Sequence, residues 1–213
     1  MARQQNSSNL AWIDLEMTGL DPNEHVILQA ALIVTNAQLE PLEEMCFDVW
    51  QPDQALTNMS PFVRTMHETN GLLKRSRESK LDTRDVERKL LECITGWCPY
   101  PAVLCGNSIA TDRRFIDKYM PGLAGYLHYR MVDVSALKVL VHLWYGTSAA
   151  FEKPEAGAHE RRHVRHLLLG LPNIATQLFE WLELRVGYNQ CGLQNDMLTG
   201  VEPGHFQIDP GQV

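Results

Sequence analysis

The sequence lacks any apolar run long enough to span a bilayer, and its first nine residues contain no apolar signal core. It also lacks an excess of basic residues, because 19 lysines and arginines against 26 aspartates and glutamates give a net charge of −7. Such a chain has no general attraction for long nucleic acids, so a nucleic-acid substrate has to be short and held locally. We therefore expect a cytoplasmic protein with no membrane association.

The sequence also lacks cysteines at the spacing of a known motif. The five cysteines are irregularly spaced and include no Cys-x-x-Cys pair, which favours reduced thiols over a disulfide framework or a zinc site. The chain of 213 residues suffices for one domain of ordinary size. We expect a folded domain over residues 1–169 and a divergent, partly disordered tail over 170–213, where Pro and Gly are scattered.

The apolar pattern predicts strands first and helices later. The predicted strands cover residues 9–17, 25–35, 46–50 and 102–105, and the predicted helices cover 83–97, 115–120, 134–144 and 174–186. Strands followed by strands that alternate with helices predict an α/β fold with a mixed central sheet flanked by helices.

The most informative segment is residues 12–20, where Asp14 and Glu16 interrupt an apolar run that ends at Thr18 and Gly19. Side chains alternate along a strand, so the two carboxylates share a face about 7 Å apart. Buried carboxylates side by side are costly unless a cation or a proton intervenes, and Mg²⁺ or Mn²⁺ prefers such oxygens. Two interpretations follow from the residues alone, a metal site or the solvent-facing edge of an amphipathic strand.

Other candidates are individually ambiguous. Asp112 is near a predicted helix start, where it is either a metal ligand or an ordinary helix-start carboxylate. His159, directly after a Gly/Pro-rich loop, is either a general base or a loop histidine. Asp133 is most simply the N-cap of the next helix. The surroundings of Phe62 and His67 predict a core phenylalanine and a surface histidine, although an exposed Phe62 would suit base stacking.

Taken in order, these motifs resemble the oligoribonuclease branch of the DEDDh 3′→5′ exonucleases. The resemblance covers residues 9–159 and rests on Asp-Leu-Glu-Met-Thr-Gly-Leu at 14–20, Gly-Asn-Ser at 106–108, Asp-Arg-Arg-Phe at 112–115 and His-Tyr-Arg within 128–135. The last motif distinguishes this branch from proofreading exonucleases and argues against a DNA substrate.

The resemblance implies an RNase H-like exonuclease fold, a homodimer, and hydrolysis of short single-stranded RNA, especially dinucleotides, to 5′-mononucleotides. It implies that Asp14, Glu16 and Asp112 hold two Mg²⁺ or Mn²⁺ ions. By the same resemblance, one ion would ready a water for in-line attack and the other would steady the departing 3′-oxygen, while His159 would take the proton of the water.

The resemblance also implies a set of substrate contacts. Leu20 matches the wedge between two bases, and His67 matches a contact to the 3′ end. Phe62 stands where the family often has a tryptophan. The remaining assignments are Ser108 in substrate binding, Tyr129 as a catalytic candidate, and Tyr129 with Arg130 as the groups that reach the partner subunit's site and cap the 5′ end.

The sequence departs from the family at two positions. Gln29 replaces a glutamate that is usual in the second strand and is not a metal ligand in the motif. Val164 stands where the family has its fourth metal-binding aspartate, five residues after His159. Either the tail was replaced through a shifted reading frame or a fusion, which we favour, or the chain is a diverged member. The alternative function is therefore an impaired relative that binds short nucleotides without efficient turnover.

Overall fold

A computed structural model describes residues 3–145. Within that part of the chain, five strands form one sheet in the order β3-β2-β1-β4-β5. The strands are β1 (Leu10–Met17), β2 (Ile27–Thr35), β3 (Pro41–Asp48), β4 (Ala102–Gly106) and β5 (Leu127–Asp133). The helices are α1 (Pro61–Thr69), α2 (Leu72–Glu78), α3 (Thr83–Trp97), α4 (Ala110–Tyr119), α5 (Pro121–Tyr126) and α6 (Val134–Tyr145), and a short 3₁₀ turn covers Asp53–Leu56.

The sheet is mixed, as the sequence predicts. The first three strands pair antiparallel, whereas β1, β4 and β5 pair in parallel and are joined through helices. A parallel pair needs such a crossover, while antiparallel neighbours need only a turn. The β1 strand therefore lies at the centre of the sheet, between the antiparallel half and the parallel half.

The central strand β1 has two different faces. Ile13, Leu15 and Met17 enter the main hydrophobic core, which also contains the buried side chains of α3 and α4. Trp12 points to the opposite face and packs in a smaller apolar cluster with Val134. By strand alternation, Asp14 and Glu16 share the face of Trp12. The predicted common face of the two carboxylates is thus confirmed.

Several element boundaries differ from the prediction. The second strand begins at Ile27 rather than at residue 25, because His25 belongs to the preceding turn. The third strand runs earlier than the predicted 46–50, since Glu43 and Glu44 hide its β pattern although both pair with β2. The sequence did not predict α1, α2, α5 or β5, which are short or, in β5, polar.

The expectation of reduced thiols holds for Cys93, Cys98 and Cys105, which are free and buried. It is wrong for Cys46, which is disulfide-bonded. Among the helices described, none is both long and apolar enough to cross a bilayer. The predicted domain boundary at residue 169, the tail and the predicted helix at 174–186 lie outside the described residues.

Candidate active site

The site begins at the C-terminal half of β1. Asp14 lies opposite Ala31, and Glu16 lies opposite Gln29, on the neighbouring strand β2. The register shifts directly after Glu16, where β1 approaches its end at Met17. Both carboxylates therefore lie near the end of a central strand, where ligand sites are common in α/β sheets.

Asp112 joins these two residues from a distant part of the sequence. It lies in the first turn of α4 with only 6% of its surface exposed, and its Oδ1 accepts a hydrogen bond from the Leu15 amide at 2.9 Å. Pairing between β1 and β4 ends at Trp12, three residues earlier. The Leu15 amide lies beyond the parallel ladder and donates to Asp112 instead of to β4. This bond holds the Asp112 carboxylate at the residue that separates Asp14 from Glu16.

Burial raises the pKa of all three carboxyl groups, and neighbouring charges raise it further for Glu16 and Asp112. Burial raises the pKa of Asp14 to about 6. Burial, followed by the charges of Asp14 and Asp112, raises the pKa of Glu16 to about 8. Burial and the charge of Asp14 likewise raise the pKa of Asp112 to about 8, although the bond from the Leu15 amide opposes this. The site therefore concentrates negative charge at a cost that a cation would relieve.

Within the described residues, no lysine or arginine side chain neutralises the charge of these carboxylates. Neither Asp14 nor Glu16 has a side-chain hydrogen bond or an ion pair there. Arg113 is instead paired with Asp117, and Arg114 is bonded to the Leu20 carbonyl. Oxygen ligands with unbalanced charge suit Mg²⁺ or Mn²⁺, so the chemistry of this group fits a divalent ion.

The same three side chains do not enclose an ion as they stand. Across residues 3–145, no three His, Cys, Asp or Glu side chains converge closely enough to hold a metal. His159, the predicted base, and Val164, the replaced ligand position, both lie outside the described residues. The described part of the site is therefore an open acidic group on β1 and α4.

Phe62 and His67 are placed opposite to what their local sequence predicts. Phe62, in the first turn of α1, is 62% exposed, whereas His67 is completely buried. The Nε2 atom of His67 lies 3.0 Å from the carbonyl oxygen of Met17, and its buried Nδ1 atom has no hydrogen-bond partner. The prediction of a core Phe62 and a surface His67 is wrong, because α1 turns its histidine towards the end of β1.

The loop after β4 is held by the start of α6. Ser108 has a positive φ of 52°, and its amide donates to Asp133 Oδ1 at 3.0 Å and to Ser135 Oγ at 2.8 Å. Asp133 Oδ1 also accepts from the Ser135 amide at 2.9 Å, which confirms the predicted N-cap. A Cβ at Gly106 would lie 2.9 Å from the Ile13 carbonyl oxygen, so this close approach requires glycine.

Asp133→Ala tests this link. Losing the cap and one of the two acceptors of the Ser108 amide should cost about 1–2 kcal/mol and lower Tm by about 2–8 °C. The matched control is Asp82→Ala, since Asp82 caps α3 through the Asp85 amide at 2.9 Å without touching this loop. Thermal unfolding should show a loss in both variants, while hydrogen exchange of the amides of residues 107–109 should accelerate only in Asp133→Ala. Equal exchange of these amides in the two variants would contradict the link.

Tyr129 and Arg130 lie on the edge strand β5, away from the carboxylates. Tyr129 is 74% exposed, and its ring stacks on His128 at 4.5 Å and carries the Arg130 guanidinium at 5.3 Å. The pairing of β5 with β4 shifts register across this stretch, which marks an irregularity that re-aims side chains. From the spacing between strands and the rise along them, the Cα atoms of Tyr129 and Asp14 are roughly 15 Å apart. The structure does not bring these two residues together within one chain.

Solved structures share this architecture. Exonuclease I from Methylocaldum szegediense aligns with a TM-score of 0.51 and 16% identity, over 81% of this chain and 43% of that one. A zinc-bound complex of E. coli exonuclease I with single-stranded DNA aligns with a TM-score of 0.50 and 16% identity, over 71% and 32%. This chain thus spans less than half the length of either. The mixed sheet is that of the RNase H-like exonuclease fold, which confirms the predicted fold class.

Sequence relatives are closer. Residues 11–163 match the RNase T exonuclease family. The oligoribonuclease of Ectopseudomonas mendocina is 45% identical over 142 residues, covering 66% of this chain and 79% of that one. The oligoribonuclease of Actinobacillus succinogenes is 44% identical over 167 residues, covering 78% and 87%. The chain therefore belongs to the oligoribonuclease family, as its motifs predict.

Proposed function

We propose that this chain is a 3′→5′ exoribonuclease that hydrolyses short single-stranded oligoribonucleotides, dinucleotides above all, to 5′-mononucleotides. The observation that carries the proposal is the group of three carboxylates on β1 and α4. Their charge is balanced by no cation in the described residues, and each has a raised pKa. The high identity to named oligoribonucleases supports the choice of substrate.

In this proposal Asp14, Glu16 and Asp112 hold two Mg²⁺ or Mn²⁺ ions. Bound ions would supply a nucleophilic water at neutral pH and would stabilise charge on the leaving oxygen. The chain itself orients the ligands, since the Leu15 amide fixes Asp112 against β1. His159 takes the proton of the attacking water.

The substrate contacts belong to the same proposal. The exposed ring of Phe62 stacks on a base and the exposed side chain of Leu20 separates two bases. The contact to the 3′ end implied for His67 is not carried over, because its side chain is completely buried against the Met17 carbonyl. Ser108 binds the substrate from the loop after β4. Phe62 is on α1, Leu20 follows β1 and Ser108 follows β4, so the proposed contacts come from three separate segments of the chain.

We further propose that the enzyme is a cytoplasmic homodimer. Tyr129 and Arg130 lie on an exposed sheet edge and roughly 15 Å from Asp14. That distance suits a role at the site of a second subunit, where they cap the 5′ end of a short substrate and Tyr129 takes part in catalysis. The net charge of −7 suits a substrate held by local contacts rather than a long nucleic acid.

A second candidate function is binding of short nucleotides without efficient turnover. The observation that favours it is Val164, where the family has its fourth acidic ligand. The match to the exonuclease family ends at residue 163, directly before this position. A site with one ligand fewer would bind ions and substrate less well and stabilise the transition state less.

A dinucleotide assay separates the two candidates. With Mn²⁺ or Mg²⁺ we expect release of 5′-mononucleotides, with faster turnover of a dinucleotide than of a 20-residue RNA or a deoxydinucleotide. EDTA should abolish turnover, and an excess of Mn²⁺ should restore it. Turnover that survives EDTA would reject the metal mechanism, whereas tight dinucleotide binding without product would support the second candidate.

A further inference from the structure

The loop between β1 and β2, residues 20–25, carries the exposed Leu20. Two cations of α4 donate to its backbone. Arg114 Nη2 lies 2.6 Å from the Leu20 carbonyl oxygen, and Lys118 Nζ lies 2.6 Å from the Pro22 carbonyl oxygen. Residues four apart share a helix face, so one face of α4 holds two consecutive parts of the loop.

Tyr119 adds a third anchor. Its hydroxyl lies 2.9 Å from the Pro22 carbonyl oxygen and 2.7 Å from the His25 carbonyl oxygen. Its ring stacks on Phe115 at 6.1 Å, and Lys118 Nζ lies 5.2 Å from the ring centroid. The hydroxyl is therefore fixed by the packing of its own ring, and the loop is held at its middle and at its end.

The start of the loop is fixed by packing. Gly19 lies against the ring of His25, and a Cβ at Gly19 would come within 2.4 Å of that ring. The Nδ1 atom of the same ring accepts from the Asp21 amide at 3.2 Å. Both ends of the loop thus meet at one imidazole.

The helix α4, whose side chains donate to the loop carbonyls, also contains Asp112. The first turn of α4 supplies this carboxylate, and its following turns supply Arg114, Lys118 and Tyr119. The distance between the acidic group and Leu20 is therefore set by one rigid element. Leu20 is 64% exposed, so its own side chain packs too little to fix its position.

We propose that Arg114, Lys118 and Tyr119 are positioning residues for the substrate, which hold Leu20 at a fixed place relative to Asp112. This inference rests on the proposed function and extends it. A loop held in advance loses little conformational freedom when the substrate binds. Removing an anchor therefore weakens substrate binding in the ground state and the transition state alike, which raises KM and leaves kcat unchanged.

Lys118→Met and Tyr119→Phe test the inference. Methionine keeps an unbranched side chain on the Tyr119 ring without a donor, and phenylalanine removes only the hydroxyl. Each should raise KM for a dinucleotide about tenfold, the worth of one positioned hydrogen bond, with kcat within about twofold. Lys118→Arg should restore KM. The control is Lys89→Met, because Lys89 Nζ also lies over a ring, that of Phe47 at 5.6 Å, but on α3.

A double variant separates positioning from general stability. If Lys118 acts through Leu20, then Lys118→Met should add nothing to the KM of Leu20→Ala. Two effects that multiply would overturn the inference, and so would a KM for Lys118→Met that equals that of Lys89→Met.

Hydrogen exchange gives a readout that needs no activity. Backbone amides of residues 20, 21 and 23–25 should exchange at least about tenfold faster in Lys118→Met than in the wild type, and at the wild-type rate in Lys89→Met. If the wild type turns over no dinucleotide, the proposed function fails, and the dissociation constant of the dinucleotide then replaces KM. Unchanged exchange in Lys118→Met would overturn the inference whatever the activity.

Discussion

Asp112→Asn should lower kcat/KM for a dinucleotide by at least about 1,000-fold, equivalent to about 4 kcal/mol of transition-state stabilisation. The asparagine keeps the shape of the side chain, and its Oδ1 still accepts from the Leu15 amide. What it removes is the negative charge of a proposed metal ligand, so the loss reports the electrostatic role of Asp112. Asp14→Ala should reduce the rate to a similar extent, since it removes another proposed ligand from the same group.

The control lies on the same helix. Asp117 of α4 forms an ion pair with Arg113 at 2.7 Å, and the Asp117 side chain is half exposed. Surface pairs of this kind contribute little, so Asp117→Asn should keep kcat/KM within about twofold. An Asp112→Asn enzyme with more than a tenth of the wild-type rate at saturating Mn²⁺ would contradict the assignment of Asp112.

Without divalent ions, the protein should lose stability as the pH rises from about 5 to about 8. The pKa values of Glu16 and Asp112 in the folded state are about 8, well above those of carboxyls in an unfolded chain. In this range the folded state therefore holds protons that the unfolded state has released, and the free energy of unfolding falls with rising pH. Each pKa unit corresponds to about 1.4 kcal/mol, so the loss should reach several kcal/mol.

Thermal unfolding in EDTA at pH 5 and pH 8 measures this loss, which should lower Tm by about 10 °C. Mg²⁺ or Mn²⁺ at pH 8 should recover much of it, because ions bind the ionised carboxylates of the folded state. Glu16→Gln should flatten the pH dependence, whereas Glu68→Gln, at an exposed position of α1, should not. A metal-free protein that gains stability between pH 5 and pH 8 would contradict the raised pKa values.

The sequence could predict the parts of the site that follow from local periodicity. Asp14 and Glu16 share a face because a strand alternates, and the cap at Asp133 follows from its place before an apolar helix. The contact of Asp112 with β1 spans 97 positions and could be expected only from the motif order.

Other parts left no local signal. The anchoring of residues 20–25 was missed because Arg114, Lys118 and Tyr119 donate to backbone carbonyls, which any residue supplies. The edge strand β5 was missed because its exposed centre is polar. The reversal of Phe62 and His67 arises because α1 turns His67 towards the Met17 carbonyl at the end of β1, a long-range contact that the sequence of a nine-residue helix does not reveal.

Because the Leu15 amide donates to Asp112, the NMR signal of this amide reports on the state of the site. An amide proton held by a carboxylate resonates differently from one held by a protonated or metal-bound carboxyl group. In a ¹H–¹⁵N correlation spectrum, the Leu15 peak should therefore move with pH and with added Mg²⁺, while its neighbours within the sheet ladder stay in place. Binding of protons or metal ions to the acidic group can thus be followed in the enzyme without substrate.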